Sequence, residues 1–292
     1  MSSLRRAFLD ACAWDVAVRK PGNVSVYSAG HGMQARTFLD SAEACAGALC
    51  QPGAPVGVRI ERAVAATWAR VGCNTNLGIL LLCAPIAAAA ERLTAPVDEA
   101  RLRQALAQTM ATLTVEDAAA AFRAIVQANP GGLGATEAQD VRQSPTVTLR
   151  EAMVLAAGRD RIAAQYRDGG AALFDLGLTA WRGHAGGAAR AVSPQTVQRV
   201  FLAWLASDLD AHIVRKHGPA LAQIVLNDAQ RWSARAAAGE RLDADPAFLA
   251  WDEALKSAGI NPGTSADLTV ATLMLAALTV RADTGRGGTE RV

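Results

Sequence analysis

The stretch Gly72-Cys73-Asn74-Thr75-Asn76-Leu77-Gly78 runs directly into Ile79 to Ala90, one of the most hydrophobic segments of the chain. Asn and Thr side chains at such a turn can cap the helix that follows. The N–H groups of the first helical turn then point outward and can bind an anion. The stretch therefore predicts a phosphate-binding turn before a buried helix. Asn74 and Thr75 also fit a second reading, in which they only cap that helix.

The segments around this stretch have the periodicity of helices. Alanine is abundant, alternation of β-branched residues is scarce, and apolar residues recur three and four positions apart, as at Leu4, Phe8, Cys12 and Val16. The 292 residues, 51% of them hydrophobic, are enough for one large core. We therefore predict an all-α protein, with one multi-helix domain at residues 1–282 and a flexible tail at residues 283–292.

Capping residues locate several helix starts. Thr114 and Thr148 precede early acidic residues, and Ser193 precedes a proline in the first helical turn. A helix is also expected to continue through Arg159 to Tyr166.

The composition excludes several classes of protein. The 29 Lys and Arg residues nearly balance the 27 Asp and Glu residues, so no general surface for nucleic acid or an anionic membrane is expected. The apolar run Leu77 to Ala90 is too short to cross a bilayer and contains Pro85. The five cysteines lie in apolar contexts without a C-x-x-C pair, which is typical of reduced residues in a cytoplasmic protein. The N-terminal residues lack the long apolar core of a secretory signal.

Unusual polar residues concentrate in four irregular segments between the predicted helices. The segments are Lys20 to His31, Gly72 to Gly78, Asp208 to His217, and Asn261 to Asp267. Three of the four histidines lie in them. This clustering predicts a single site where helix ends converge. The sequence has neither a P-loop nor a G-x-G-x-x-G motif after a strand, and no G-x-S-x-G elbow.

The charges in these segments favour a nucleotide-type ligand, although each residue also has a structural reading. Lys20 can be a solvated helix end, Arg215 and Lys216 can interact with a helix dipole, and Asp210 and Asp267 can be helix caps. The basic candidates for phosphate binding are Lys20, Arg36, Arg215 and Lys216. The acidic candidates for Mg²⁺ are Glu61, Asp140, Asp160, Asp210 and Asp267.

Five blocks of residues occur in a distinctive order along most of the chain. They are Lys20 to Val24, Gly30 to Met33 followed by Phe38 and Ser41, Gly72 to Gly78, Asp210 to Gly218, and Pro262 to Leu268. In order and spacing these blocks resemble the motifs of the triphosphoribosyl-dephospho-coenzyme A synthase family. That family transfers the ribose of ATP to the ribose 2′-hydroxyl of dephospho-CoA, releasing adenine and keeping the triphosphate. The resemblance implies a transferase that binds ATP, or a related nucleotide, and dephospho-CoA.

The resemblance also implies roles for individual residues. Asp210 is the candidate base or electrostatic stabiliser, and His31 is the candidate proton donor or phosphate ligand. The candidate substrate-binding residues are Lys20, Asn23, Asn74, Thr75, Asn76, His212, Arg215 and Lys216. The candidate ligands for Mg²⁺ are Glu61, Asp140 and Asp267.

Two features depart from the family pattern. Asn76-Leu77 replaces a His-Lys pair of the decarboxylase-linked members, and the aspartate that follows the His31 position is missing. This form resembles a branch found in archaea and methylotrophic bacteria, which implies an acceptor in the biosynthesis of a one-carbon coenzyme of methanopterin or methanofuran type. The lost groups also leave open a nucleotide-binding accessory or regulatory protein without catalysis. A structural helical scaffold is a third reading, and the alanine-rich helical surface is consistent with a homodimer.

Overall fold

The computed structural model describes residues 3–94, 97–130, 139–183 and 192–283, and within these ranges it contains helices and no β-strand. The α-helices are α1 Ser3–Ala17, α2 Ala35–Leu49, α3 Val56–Val71, α4 Leu77–Ala90, α5 Glu99–Ala111, α6 Val115–Ala128, α7 Leu149–Ala156, α8 Arg161–Arg167, α9 Thr179–Arg182, α10 Pro194–Leu205, α11 Ala211–His217, α12 Pro219–Ala237, α13 Pro246–Ser257 and α14 Gly263–Asp283. A π-helix, Leu173–Leu178, precedes α9, and a 3₁₀ turn, Leu242–Ala244, precedes α13. The all-α prediction is confirmed for this part of the chain. Residues 284–292 of the predicted tail lie outside it.

Helices α4 and α14 pack against each other at the centre of the fold. Nearly every side chain of α4 is buried, as are most of those from Ala266 to Leu278 in α14. A helix that is apolar on all sides must be covered on all sides, and α1, α3, α5 and α10 pack around this pair. No helix in the described ranges has both the length and the apolarity that a membrane crossing requires.

A second, smaller apolar cluster is formed by residues from α10 onward in the chain. It is built from α10 to α14 and includes Phe201, Ile213, Val225 and Phe248. Trp232 packs edge-on against Phe248, with ring centroids 5.1 Å apart. The chain therefore has a large central cluster and a small C-terminal one, and α10 and α14 contribute residues to both.

Pro85 lies inside α4 and has no N–H group to donate to the carbonyl of Leu81, four residues earlier. The Tyr166 hydroxyl, on α8, donates to that carbonyl at 2.6 Å. Tyr166 is completely buried, and burial raises the pKa of its hydroxyl above the usual range. The tyrosine thus satisfies a carbonyl that would otherwise be unpaired in the core.

The described structure corrects one helix prediction. The segment from Arg159 to Tyr166 was expected to continue a helix, but α7 ends at Ala156 and α8 begins at Arg161. Asp160 causes the break, because its Oδ1 accepts hydrogen bonds from the N–H groups of Ile162 and Ala163 at 2.8 and 3.2 Å. It is therefore the N-cap of a new helix rather than an interior residue. The starts predicted at Thr114, Thr148 and Ser193 are confirmed by side-chain caps.

Helices α3 and α6 approach closely at Gly57. The N–H of Gly57 donates to Asp117 Oδ1 at 2.7 Å, and a Cβ atom at Gly57 would lie 2.5 Å from the backbone oxygen of Asp117. The close approach therefore requires glycine, because backbone atoms cannot move aside as a flexible side chain can.

We expect Gly57→Ala to destabilise the protein by about 1–3 kcal/mol, because the added methyl group overlaps the backbone of α6. Gly47→Ala is the matched control, since Gly47 is a helical glycine with no heavy atom within 4 Å of the added methyl group. That control should gain up to about 1 kcal/mol from helix propensity. Urea unfolding of both variants measures the difference, and equal stabilities would contradict the assignment of this contact.

Candidate functional site

The N-terminus of α14 contacts the three other polar segments predicted from the sequence. Asn23 of the first segment donates its Nδ2 to Asn261 Oδ1 at 2.9 Å. Gly78 of the second segment packs against α14. Asp210 of the third accepts hydrogen bonds from Ser265 at 2.8 Å. The four segments thus lie at one place, where the first turns of α4, α11 and α14 meet.

Asp210 joins the first turns of α11 and α14. Its Oδ1 accepts from the N–H groups of His212 and Ile213 at 2.9 and 3.2 Å, and its Oδ2 accepts from the N–H and the hydroxyl of Ser265, each at 2.8 Å. The carboxylate is 1% exposed, and burial raises its pKa although these hydrogen bonds oppose the increase. The base role stays a prediction for Asp210, while the geometry describes a residue that positions two helices.

Asp267, two residues after Ser265 in α14, is placed differently. The residue is half-buried, and its carboxylate has no hydrogen-bond partner among the described residues. It lies against the first turn of α4, where a Cβ atom at Gly78 would be only 2.0 Å from Asp267 Oδ2 and 2.6 Å from Ile162 Cδ1. The glycine therefore makes room for the carboxylate and leaves an oxygen available to a ligand.

The charges around Asp267 make its ionisation unfavourable. Burial raises its pKa well above the usual range, and the nearby carboxylates of Asp210, Asp15 and Asp160 raise it further. Arg215 opposes these effects. A carboxyl group that is partly accessible, has no hydrogen-bond partner and has a raised pKa is typical of a functional site rather than of an ion pair.

The polar turn before α4 uses two of its side chains internally. Thr75 donates its hydroxyl to Ser41 Oγ at 2.7 Å, and Asn76 donates its Nδ2 to Thr67 Oγ1 at 3.1 Å. Thr75 and Asn76 are both buried. Their predicted role in substrate binding stays a prediction, and the contacts describe residues that fix the shape of the turn.

Asn74 occupies the more accessible part of the same turn. Its Oδ1 accepts the N–H of Leu77 at 3.1 Å, which caps α4. Its amide nitrogen and the first-turn N–H groups of Gly78 and Ile79 have no acceptor within the described ranges. A helix start with unpaired N–H groups favours anions, so both readings of this turn apply to Asn74: it caps the helix and leaves donors for a phosphate.

Lys20 is buried completely and does not reach the accessible part of the site. Its ammonium group donates to Asp15 Oδ2 at 3.0 Å and to Asn23 Oδ1 at 2.6 Å. Asn23 in turn contacts α14 through Asn261. The predicted phosphate contact of Lys20 stays a prediction, and in this structure the lysine stabilises the loop that carries Asn23.

Asp252 was not identified from the sequence, although it anchors this loop. The carboxylate is buried and accepts hydrogen bonds from the Gly22 N–H at 2.9 Å, from Arg19 at 2.6 Å and from Lys256 at 2.9 Å. Gly22 has a φ of 80° and a Cβ atom there would lie 2.7 Å from the Pro262 side chain. An acid inside a helix, with partners about 230 positions away, gives no local signal.

Two histidines of the site have different surroundings. His31 adopts a left-handed backbone conformation, with φ of 55°, and its Nε2 donates to the Gly22 carbonyl at 2.8 Å. The Nε2 of His212 is buried and has no hydrogen-bond partner in the described part of the chain. Burial lowers the pKa of His212 to about 3, and the positive charges of Arg215 and Lys216 contribute. His212 is therefore neutral at physiological pH.

Arg215 bridges α11 and α8 at the edge of the site. Its guanidinium donates to Asp160 Oδ2 at 3.1 Å and is partly exposed. Lys216, the next residue, is exposed. Arg215 acts electrostatically on Asp267, which lies against the first turn of α4, so this cation can contribute to the binding of an anion there.

The three acids predicted to bind Mg²⁺ do not share one environment. Glu61 pairs with Arg123 at 2.6 Å, and Asp140 pairs with Arg142 at 3.3 Å. The described residues contain no group of three or more His, Cys, Asp or Glu side chains that could hold a metal ion. Mg²⁺ is, however, commonly bound by one or two carboxylates together with substrate phosphates. Of the three predicted ligands, Asp267 fits such a site.

The comparisons with known proteins agree with the resemblance found in the sequence. A family model described as ATP:dephospho-CoA triphosphoribosyl transferase matches residues 1–285. A crystal structure from Archaeoglobus fulgidus, of a protein described as a triphosphoribosyl-dephospho-coA synthase, is similar with a TM-score of 0.65. The two sequences are 20% identical, and the match covers 83% of this chain and 99% of the other. This structural likeness supports the fold. No curated protein matches the chain significantly.

The raised pKa of Asp267 predicts the pH dependence of its effect on stability. Ionisation costs more in the folded protein than in the unfolded chain, so this residue lowers stability as the pH rises from the unfolded value of 3.8 through the folded one. Asp267→Asn removes the charge. We expect the variant to unfold at a higher temperature than the wild type at about pH 8, with the difference vanishing near about pH 4.

Asp168→Asn is the control for this experiment. Asp168 is exposed, and its hydrogen bond from Arg167 lowers its pKa instead of raising it. This variant should unfold at an unchanged or slightly lower temperature at about pH 8. Scanning calorimetry measures the unfolding temperature of both variants. A lower unfolding temperature of Asp267→Asn at the higher pH would contradict the unfavourable ionisation of this carboxylate.

Proposed function

Because the chain belongs to the ATP:dephospho-CoA triphosphoribosyl transferase family, we propose that it transfers the triphosphoribosyl group of ATP to the 2′-hydroxyl of dephospho-CoA. The bond between C1′ of the ATP ribose and adenine breaks, and a bond from C1′ to the acceptor oxygen forms. The acceptor hydroxyl loses a proton, and the departing adenine gains one. The observation that carries the proposal is the unpartnered Asp267 carboxylate against the first turn of α4.

Asp267 is suited to the reacting centre. A glycosyl transfer develops positive charge on the ribose, and a nearby carboxylate stabilises that charge. A raised pKa also brings a carboxylate closer to the value that a general base needs at neutral pH. We therefore assign to Asp267 the acceptance of the 2′-hydroxyl proton. Asp210 holds the helices that surround it, and His31 remains the candidate donor to adenine.

The triphosphate is proposed to lie between the start of α4 and α11. The unpaired N–H groups of Gly78 and Ile79 and the amide of Asn74 supply neutral donors, and Arg215 and Lys216 supply charge. Mg²⁺, when bound, would be held by one oxygen of the Asp267 carboxylate and by phosphate oxygens. It would neutralise part of the triphosphate charge.

Incubation of the protein with ATP, Mg²⁺ and dephospho-CoA tests the proposal by mass spectrometry. The wild type should release adenine and form the triphosphoribosyl adduct. At saturating ATP and Mg²⁺, Asp267→Asn should lose at least about 100-fold in turnover, because it cannot accept the proton. Asp168→Asn, at an exposed aspartate paired with Arg167, should keep full turnover. Full turnover in Asp267→Asn would exclude the assigned role.

The reaction products also separate two alternatives. Adenine without the adduct would indicate a different acceptor, and the Asn76-Leu77 form of the turn makes a one-carbon coenzyme precursor of methanopterin or methanofuran type the next candidate. Binding of ATP without any release of adenine would favour a nucleotide-binding accessory protein.

The triphosphate placement makes a separate prediction for Arg215. Arg215→Gln should weaken the binding of ATP by about tenfold, because it removes a charged phosphate donor. Arg231→Gln, at an exposed arginine of α12, is the control and should bind ATP like the wild type. Calorimetric titration in the presence of Mg²⁺ measures both dissociation constants. An unchanged affinity in Arg215→Gln would place the triphosphate elsewhere.

A further inference from the structure

A cleft of about 310 Å³ lies on the loop between α1 and α2, and no step of the proposed reaction uses it. One wall is the turn from Ser25 to Ser28, which is closed by reciprocal backbone hydrogen bonds between these two serines. The other wall is the start of α2, at Gln34 to Arg36. The cleft is open to solvent, so a ligand can enter without a change of fold.

Ser25 lines the cleft and is 2% exposed. Its hydroxyl is shielded from solvent and has no hydrogen-bond partner in the described ranges. A buried hydroxyl without a partner is costly, and such groups usually have one. The unpartnered Ser25 Oγ therefore points to a polar ligand atom as its missing partner.

The walls of the cleft combine an apolar surface with positive charge. Tyr27 and Val26 are exposed at 64% and 58%, and an exposed aromatic ring next to an aliphatic group is suited to stacking on a planar ligand. Arg36 lies in the first turn of α2, where the helix dipole also favours an anion. These features fit a ligand with a planar ring at one end and a phosphate at the other.

Arg36 is available to such a phosphate. Its guanidinium pairs with Asp40 at 2.8 Å, but the side chain is 76% exposed, and a surface pair of this kind is weak in water. Asp40 also accepts from Arg70 at 3.3 Å, so it keeps a partner when Arg36 turns toward a ligand.

We propose that this cleft binds the adenine ring and a phosphate of the acceptor substrate, a nucleotide that is distinct from the ATP held at α4 and α11. This inference rests on the proposed function, which requires two nucleotides side by side. The loop that forms the cleft also carries Asn23 and His31, which belong to the site described above. In this arrangement Tyr27 stacks on the adenine ring of the acceptor and Arg36 binds its phosphate, while Asn23 and His31 connect the same loop to the site at α14.

Calorimetric titration of the full chain with dephospho-CoA and, separately, with ATP tests this assignment. Tyr27→Ala and Arg36→Gln should each bind dephospho-CoA at least about tenfold more weakly than the wild type and bind ATP with unchanged affinity. Ser25→Ala should also weaken dephospho-CoA binding, because it removes the hydroxyl that the ligand is proposed to satisfy.

Two matched controls keep the measurement specific. Arg6→Gln removes an exposed arginine that pairs with Asp10 four residues later, as Arg36 does with Asp40. Ile224→Ala removes an exposed apolar side chain of α12. Both controls should bind dephospho-CoA like the wild type, and circular dichroism should show an unchanged helix content in every variant.

The possible results show which of the two nucleotides places its adenine ring in the cleft. Weaker ATP binding with normal dephospho-CoA binding would overturn the assignment and show that the cleft binds ATP, the donor. Unchanged binding of both ligands, or a wild type that binds neither, would overturn the cleft as a nucleotide site. Product formation by the wild type, measured separately, decides the proposed reaction, so an active enzyme with unaffected cleft variants would disprove only this inference.

Discussion

The site depends on the buried carboxylate of Asp210. Its two oxygens accept four hydrogen bonds, which join the first turn of α11 to the first turn of α14. A hydrogen bond to a charged group of this kind typically contributes about 1.5–3 kcal/mol. Because α11 carries His212 and Arg215 and α14 carries Asp267, this carboxylate determines the distance between the cationic and the acidic parts of the site.

Acids that are wholly or partly buried in the described structure fall into two groups. Asp15, Asp210 and Asp252 each accept at least one hydrogen bond that offsets burial, and they hold loops and helix ends in place. Asp267 has no such partner in the described structure, and burial raises its pKa. A protein can tolerate an unfavourable charge of this kind where function requires it, at the expense of stability. The contrast among these acids distinguishes the candidate catalytic group from structural ones.

Sequence features that act over a few residues predicted the helical fold and the convergence of the four polar segments. Caps act within one helical turn, so Thr114, Thr148 and Ser193 marked helix starts correctly. Asp160 is a cap of the same kind, at the start of α8. Clustering of polar residues at helix ends indicated where a site lies, because helix ends leave unpaired backbone groups.

The partners of individual side chains could not be predicted in the same way. The burial of Lys20 depends on packing around the loop, and Thr75 bonds a serine 34 positions away. From the sequence alone, Asp252 resembles a surface residue of an amphipathic helix. Only its contact with Gly22 in the folded chain shows that it anchors a loop. Such contacts depend on the tertiary arrangement, so residue types alone left binding and structural roles undecided.

The proline inside α4 has an evolutionary consequence. Because Pro85 leaves the Leu81 carbonyl without its helical donor, the Tyr166 hydroxyl completes a helix to which it does not belong. Replacing Tyr166 alone would leave that carbonyl unpaired in the core, whereas replacing Pro85 first would supply a new N–H and make the hydroxyl dispensable. The two positions should therefore change in a fixed order among descendants of this sequence, as an epistatic pair.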